Sequence, residues 1–170
     1  MPRGGLLGRR RSRVEFEITP ATFGTLGLAA IAGLRSMAAP ALLARAVRRG
    51  DLDAPNLPSL GKKEVSGLLS ILAAGEMAAD KTPFLPARTS APALLGRLLS
   101  GALVGATLFA SEGRHGSSGA VLGALSALGA AYAGEGLRAA GTRKGIPDPI
   151  LGTLEDRAIL TIGTRLLRKN

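Results

Sequence analysis

The apolar positions of this chain fall into five segments, divided by polar, Pro-rich or Gly/Ser-rich stretches. The first covers residues 20 to about 44. Thr19 stands where a helix cap is needed, and Pro20 takes the first helical position, where its missing N–H is no loss. A bilayer crossing needs about 20 apolar residues. This segment is long enough, but Arg35 and Pro40 interrupt it. The pattern predicts a broken helix, or a span joined to a second half-helix. Residues 45–63 are basic and Pro-containing and read as exposed loop. The second segment, residues 65–80, stops before Pro83, because a proline pushes its predecessor out of helical backbone. Residues 84–89 read as loop. The third segment, residues 92–110, is capped by Thr89 or Ser90 and contains Arg97. A polar turn over residues 113–118 leads into the fourth, residues 119 to about 137, uncharged until Glu135. Asp148-Pro149 opens the fifth, which carries Glu155-Asp156-Arg157 and ends in Arg165-Leu166-Leu167-Arg168-Lys169.

These elements predict an all-α fold: a polytopic membrane helical bundle of about five transmembrane helices, some broken or re-entrant. A length of 170 residues bounds it to one domain. Residues 1–18 read as a basic N-terminal arm and residues 19–170 as a single helical domain. Mean hydropathy is +0.24 although 20% of residues are charged. The two coexist because charges and apolar runs are segregated. The 24 Gly lie largely inside the apolar runs, where small residues allow close helix approach in a bilayer. Gly101-xxx-Gly105 and Gly119-xxx-Gly123 lie on the third and fourth segments, which predicts a helical hairpin with close-packed arms. Ala32-Gly33-Leu34-Arg35, Ala74-Gly75-Glu76-Met77 and Ala133-Gly134-Glu135-Gly136 form a faint internal echo, each ending an apolar run with Ala-Gly and soon a charge. A soluble Ala-rich bundle is the alternative, and the absence of Trp, hence of a strong aromatic belt, counts on its side.

Charge changes this picture at one end. The net charge is +10, and Arg3, Arg9, Arg10, Arg11 and Arg13 crowd the arm, as expected of a membrane-flanking cluster that stays in the cytoplasm. Nucleic acid is not an expected partner: few aromatics are available to stack on bases. Val14-Glu15-Phe16-Glu17 parts the arginines from the apolar run, which argues against a secretory signal. With five spans, Lys and Arg divide almost evenly between the two sides, so orientation is poorly set. A re-entrant segment, dual insertion or a wrong span count would explain that. The absence of Cys removes disulfides, thiolate metal sites and a Cys nucleophile.

The candidate chemistry lies in charges near apolar runs. Arg35 either faces a bundle interior or snorkels to the interface. Glu76 and Asp80, four apart, share a helix face and repel unless a cation or proton sits between them; alternatively they are solvated at a helix end, with Asp80 paired to Lys81 or Arg88. Glu155 and Asp156 are adjacent and point apart, so one can face a cavity while the other pairs with Arg157, and both gain from a nearby helix start. Lys81, Arg88 and Arg97 suit phosphate or the carboxylates, or merely flank the membrane. His115, the one histidine, lies in a Gly/Ser turn. No catalytic triad, histidine metal cluster or phosphate-loop motif is present.

The blocks Gly33-Leu34-Arg35-Ser36, Glu76-x-x-x-Asp80-Lys81-x-Pro83, Arg88-Thr89, Gly96-Arg97, Pro147-Asp148 and Glu155-Asp156 resemble the bacterial family of unknown function numbered 4126, over roughly residues 20–165. That resemblance implies a membrane protein with charged motifs at helix ends and no settled activity. The expected localisation is multi-pass in the bacterial inner membrane. The expected partners are the lipid bilayer, a second copy of the chain in a homo-oligomer, and a small cation, proton or anion, with no cofactor. Arg35, Glu76, Asp80, Lys81, Arg88, Arg97, Glu155 and Asp156 are the expected substrate or ion-binding residues of a channel- or transporter-like protein. A metal-assisted enzyme on lipid head groups and a structural membrane subunit are the alternatives.

Overall fold

The computed structural model describes residues 19–80 and 89–167. Among them are six α-helices and no strand: α1 (Pro20–Leu34), α2 (Ala38–Arg49), α3 (Lys63–Ala79), α4 (Ala91–Ser111), α5 (Gly116–Arg143) and α6 (Asp148–Leu166), with a short 3-10 turn at Pro58–Gly61. The all-α expectation holds. The first apolar segment is indeed broken, at Arg35–Met37 and not at Pro40. Pro40 lies in the first turn of α2, where no intrahelical acceptor awaits an N–H. Residues 45–63 are not all loop: α2 runs on to Arg49 and ends at Gly50 with φ 77°, a left-handed cap that favours glycine. Further along that stretch Leu60 is buried. Thr19 caps α1 as expected, in a reciprocal capping box with Thr22. Ser90 stands at the start of α4 without a side-chain capping bond.

α4 and α5 form the expected hairpin. Gly105 lies against Gly119, and Gly101 against Gly123, with backbone carbonyls where side chains would otherwise stand. α1 packs on both arms, and Gly33 meets Ala127 and Ala130 of α5. α6 runs antiparallel to α1: Leu166 touches Gly27, Gly163 lies against Ile31 and Leu42, and Asp156 bonds Arg35. The core is small-grained, built from Leu28, Ile31, Ala32, Leu42, Leu43, Val104, Leu108, Ala127 and Ile159.

The Ala-Gly echo is not a structural repeat. Arg35 follows the end of α1, Glu76 lies in the last turn of α3, and Glu135 lies well inside α5. Gly33 is packed tightly, whereas a side chain at Gly75 would meet open space.

The break between α1 and α2 reverses the chain, and this sets the arrangement of ends. At one end lie the start of α1 and the α4–α5 turn, where Arg114 donates to Thr19 Oγ1 at 2.7 Å and covers the Phe109 ring at 4.3 Å. The ends of α2 and α6 point the same way. At the opposite end meet the C-terminal ends of α1, α3 and α5 and the N-terminal ends of α2, α4 and α6. At 1.5 Å per residue, Thr19 to Arg35 spans about 24 Å and Gly116 to Arg138 about 33 Å.

α4 and α5 are long and apolar enough to cross a membrane, and 22–34 is a shorter apolar helix. The expectation of about five full spans therefore reduces to two by length and composition. The break at Arg35–Met37 cuts the first segment into helices of 15 and 12 residues, α3 has 17 residues, and α6 carries Glu155, Asp156, Arg157 and Arg165 within its length.

Candidate functional site

The meeting of helix ends holds most of the charged side chains singled out from the sequence. Arg35 sits just past α1 and is 1% exposed, so it faces the interior and does not snorkel. Its Nη2 lies 2.6 Å from Asp80 Oδ2, and its Nε donates to Asp156 Oδ1 at 3.0 Å. The same Asp80 oxygen lies 2.7 Å from Arg138 Nη2. Arg138 Nε reaches Asp148 at 3.2 Å and Glu155 at 3.9 Å. The result is a chain of alternating charge, Asp148–Arg138–Asp80–Arg35–Asp156. It starts at a half-exposed carboxylate, passes side chains with 15% exposure, and ends at a buried guanidinium and its partner.

Glu76 and Asp80 have different tasks. Glu76 Oε1 accepts from Ser36 N–H at 2.8 Å and from Ser36 Oγ at 2.9 Å, and its Oε2 accepts from Met37 N–H at 2.8 Å. Met37 has no side-chain capping bond of its own. Glu76 thus caps α2 from α3, placing a carboxylate where free N–H groups and the helix dipole favour one. Ser100 Oγ donates to the Ser36 carbonyl, joining α4 to the same turn. The two carboxylates on one face of α3 therefore meet different protein partners. Among the described residues no group of three or more His, Asp or Glu could hold a metal ion.

Glu155 and Asp156 both turn inward, although they are adjacent. Asp156 is 7% exposed beside Arg35, Glu155 faces Arg138, and Arg157 is exposed. Among the described residues no ion pair joins Arg157 to either carboxylate; the guanidinium groups of Arg35, just past α1, and of Arg138 on α5 are their partners. Nor do the carboxylates lie in the first turn of α6. The helix starts at Asp148, about two turns earlier, so Arg35 and Arg138, not the helix dipole, supply their counter-charge. Arg97 is buried on α4, one turn before Ser100. Lys81 and Arg88 lie outside the described residues.

Reading the sequence missed Arg138, Asp148 as an ion-pair partner, Ser36 and Ser100 as hydrogen-bonding groups, and Gly152. Arg138 follows the apolar part of the fourth segment and looks there like an ordinary flanking cation. Gly152 had no signal at all. A Cβ on it would lie 2.5 Å from Arg138 Nη2 and 3.6 Å from Asp80 Oδ2. Its lack of a side chain makes room for the Arg138–Asp80 contact.

The charges do not lie beyond the apolar surface. Leu95 and Leu99 flank Arg97 on α4, Leu137 precedes Arg138, and Ile150 and Leu154 lie near Glu155; all five are 51–74% exposed. Above them Phe23, Leu125, Leu160 and Ile162 are likewise exposed. Exposed apolar side chains of α4, α5 and α6 therefore reach the level of the ionic chain, with Arg157 exposed among them.

A family model described as Domain of unknown function (DUF4126) matches residues 23–167. No curated protein and no solved structure matches the chain.

Proposed function

We propose that this chain, which belongs to the DUF4126 family, a domain of unknown function, is a multi-pass membrane protein of channel or transporter type whose ionic chain gates a path for a small ion. The observation that carries the reading is the single Asp80 oxygen held by two guanidinium groups, in a charge chain that leads from half-exposed Asp148 to buried Arg35 at the level of exposed apolar side chains. Charges at membrane depth are costly, and they are retained where ions or protons are handled. A carboxylate shared by two cations can exchange one of them for another partner without being left unpaired.

The membrane part of the reading is supported by two helices of spanning length and by large apolar side chains exposed on α1, α3, α4, α5 and α6. Exposed patches of this kind mark a membrane or partner surface. α1 and α2 act as a re-entrant pair that descends to the ionic chain and returns. This makes the number of crossings even and puts both described chain ends on one side. That side also carries Arg45, Arg48, Arg49, Lys62, Lys63, Arg114 and Arg165. The positive-inside rule makes it the cytoplasmic face. The chain has no native Cys, so single cysteines at Ser117 and Lys144, which are exposed at opposite ends of α5, can report topology. Labelling from opposite faces of the membrane is expected; labelling from the same face overturns the topology.

The test of function is flux through proteoliposomes, read with a proton-sensitive dye and with potassium and sodium indicators. Wild-type protein is expected to conduct at least one of these ions. Asp80→Asn is expected to abolish that flux while the protein still inserts. Undiminished flux in the variant overturns the role of Asp80, and no flux from correctly inserted wild type favours the second reading. In that reading the chain is a structural membrane subunit. Its support is Glu76, whose carboxylate is engaged by three donors in holding α2 in place.

A further inference from the structure

We infer that the cleft between the C-terminal ends of α2 and α6 seats the phosphate of an anionic phospholipid. The inference rests on the membrane reading above and concerns the opposite end of the helices from the ionic chain. Arg45 and Arg49 line the cleft one helical turn apart, so both guanidinium groups project from the same face of α2. Leu42 and Leu167 give it an apolar floor, and Asp51 and Thr164 complete the wall. Its enclosed part is small, about 30 Å³, so the phosphate rests at the mouth of the cleft.

Several observations favour a lipid phosphate there. Among the described residues, no carboxylate pairs with Arg45 or Arg49. The forked guanidinium matches phosphate oxygens, and two of them one turn apart can hold one phosphodiester. The helix ends at this cleft add partial negative charge, as does Asp51. The guanidinium groups of Arg45 and Arg49 offset both, and Arg48 is exposed on the same helix. Thr164 contributes no donor, since its hydroxyl already donates to the Leu160 carbonyl at 2.7 Å. Recognition therefore falls to the arginines.

The apolar part of the site distinguishes a lipid from free phosphate. Leu160, one turn before Thr164 on the same face of α6, is 47% exposed. With Leu42 and Leu167 it offers an acyl chain an apolar surface that starts at the cleft and follows the helix toward the middle of the bundle. A free phosphate would use the arginines and leave this surface bare. The residual negative charge of Asp51 and the helix ends also favours the single charge of a phosphodiester over the higher charge of inorganic phosphate.

The experiment is native mass spectrometry of the detergent-purified full chain, titrated separately with dioleoylphosphatidylglycerol, dioleoylphosphatidylcholine and inorganic phosphate. Phosphatidylglycerol is expected to bind at lower concentration than phosphatidylcholine. Arg45→Gln combined with Arg49→Gln is expected to weaken it about tenfold through loss of the charge-assisted contacts. Arg48→Gln, outside the cleft lining, is expected to change it far less. Equal binding of the two lipids overturns the proposal, as does an undiminished preference in the double variant. Saturation by inorganic phosphate that blocks phosphatidylglycerol at equal concentration assigns the cleft to free phosphate and overturns the lipid. The two-lipid comparison on the wild-type chain stands even if the double variant does not fold. Carbonate extraction of membranes reads the underlying membrane reading separately, since release of the chain would refute that reading directly.

Discussion

Replacing Arg35 with Ala is expected to destabilise the protein by about 3–5 kcal/mol, because it leaves two inward-facing carboxylates without their shared partner. Arg35 is the most buried charged residue described, and it ties α1 to the end of α3 through Asp80 and to α6 through Asp156. Losing one member of a buried pair costs more than the pair itself contributes, since the remaining charge stays desolvated. Arg35→Lys is expected to recover only part of the loss. An ammonium is a single point charge and cannot present Nε to one carboxylate and Nη2 to another in the geometry seen here. The measurement is thermal unfolding in a fixed detergent, together with Asp156→Asn and the double variant. If the losses of Arg35→Ala and Asp156→Asn simply add in the double variant, the two side chains are not energetically coupled and Asp156 is not held by Arg35. Coupling appears as a double variant that loses less than the sum of the two single losses.

Gly119→Val is expected to have an effect of similar size by a different route. A Cβ on Gly119 would meet the Gly105 carbonyl of the facing helix and lie 2.7 Å from the Phe109 ring. Backbone cannot swing aside as the end of a long side chain can, so α4 and α5 must separate. Overpacking commonly costs about 1–3 kcal/mol and occasionally more; a β-branched residue at a backbone contact belongs at or above the top of that range. Gly129→Val, on the same helix with open space around it, supplies the control. Exposed in apolar surroundings, it is expected to leave unfolding nearly unchanged. The readout is the fraction of protein that elutes as a single species after extraction, followed by thermal unfolding. Equal behaviour of the two variants would mean that the glycine contact between α4 and α5 does not hold the hairpin together.

Much of the helical layout was legible from residue order. The Gly101/Gly105 and Gly119/Gly123 spacings pointed to a close hairpin, and its glycines do meet. Thr19-Pro20 marked a helix start, and Thr19 caps it. The break in the first segment was visible through Arg35, but its place was misassigned in part to Pro40. A proline in the first turn of a helix is tolerated, so its presence did not locate the boundary. Residues 45–63 look like one long loop in sequence because arginines and prolines are alike as signs of exposure, yet α2 runs on to Arg49. The arginines there belong to α2, whose opposite face is buried.

The candidate site was legible as a set of residues and not as a set of contacts. Glu76 and Asp80 share a helix face by spacing alone, yet one caps α2 and the other joins two arginines. Spacing along a helix determines which side chains are neighbours on its surface. What those side chains meet depends on which other helices arrive there. Arg138 is more than a hundred residues from Arg35 in the chain and stands in a stretch that looks like a membrane flank, so no local pattern links it to Asp80.

By itself the sequence determined the helical class, the small-residue seams and which charges lie near apolar runs, because these follow from local periodicity, backbone preference and the cost of desolvating a charge. Only the tertiary structure decided that the chain reverses at Arg35–Met37, that helix ends gather at one level, and that one Asp80 oxygen serves two guanidinium groups. Those outcomes depend on contacts between residues far apart in the chain, where the direction of each helix, set by packing against the others, selects one pairing from many of equal local merit.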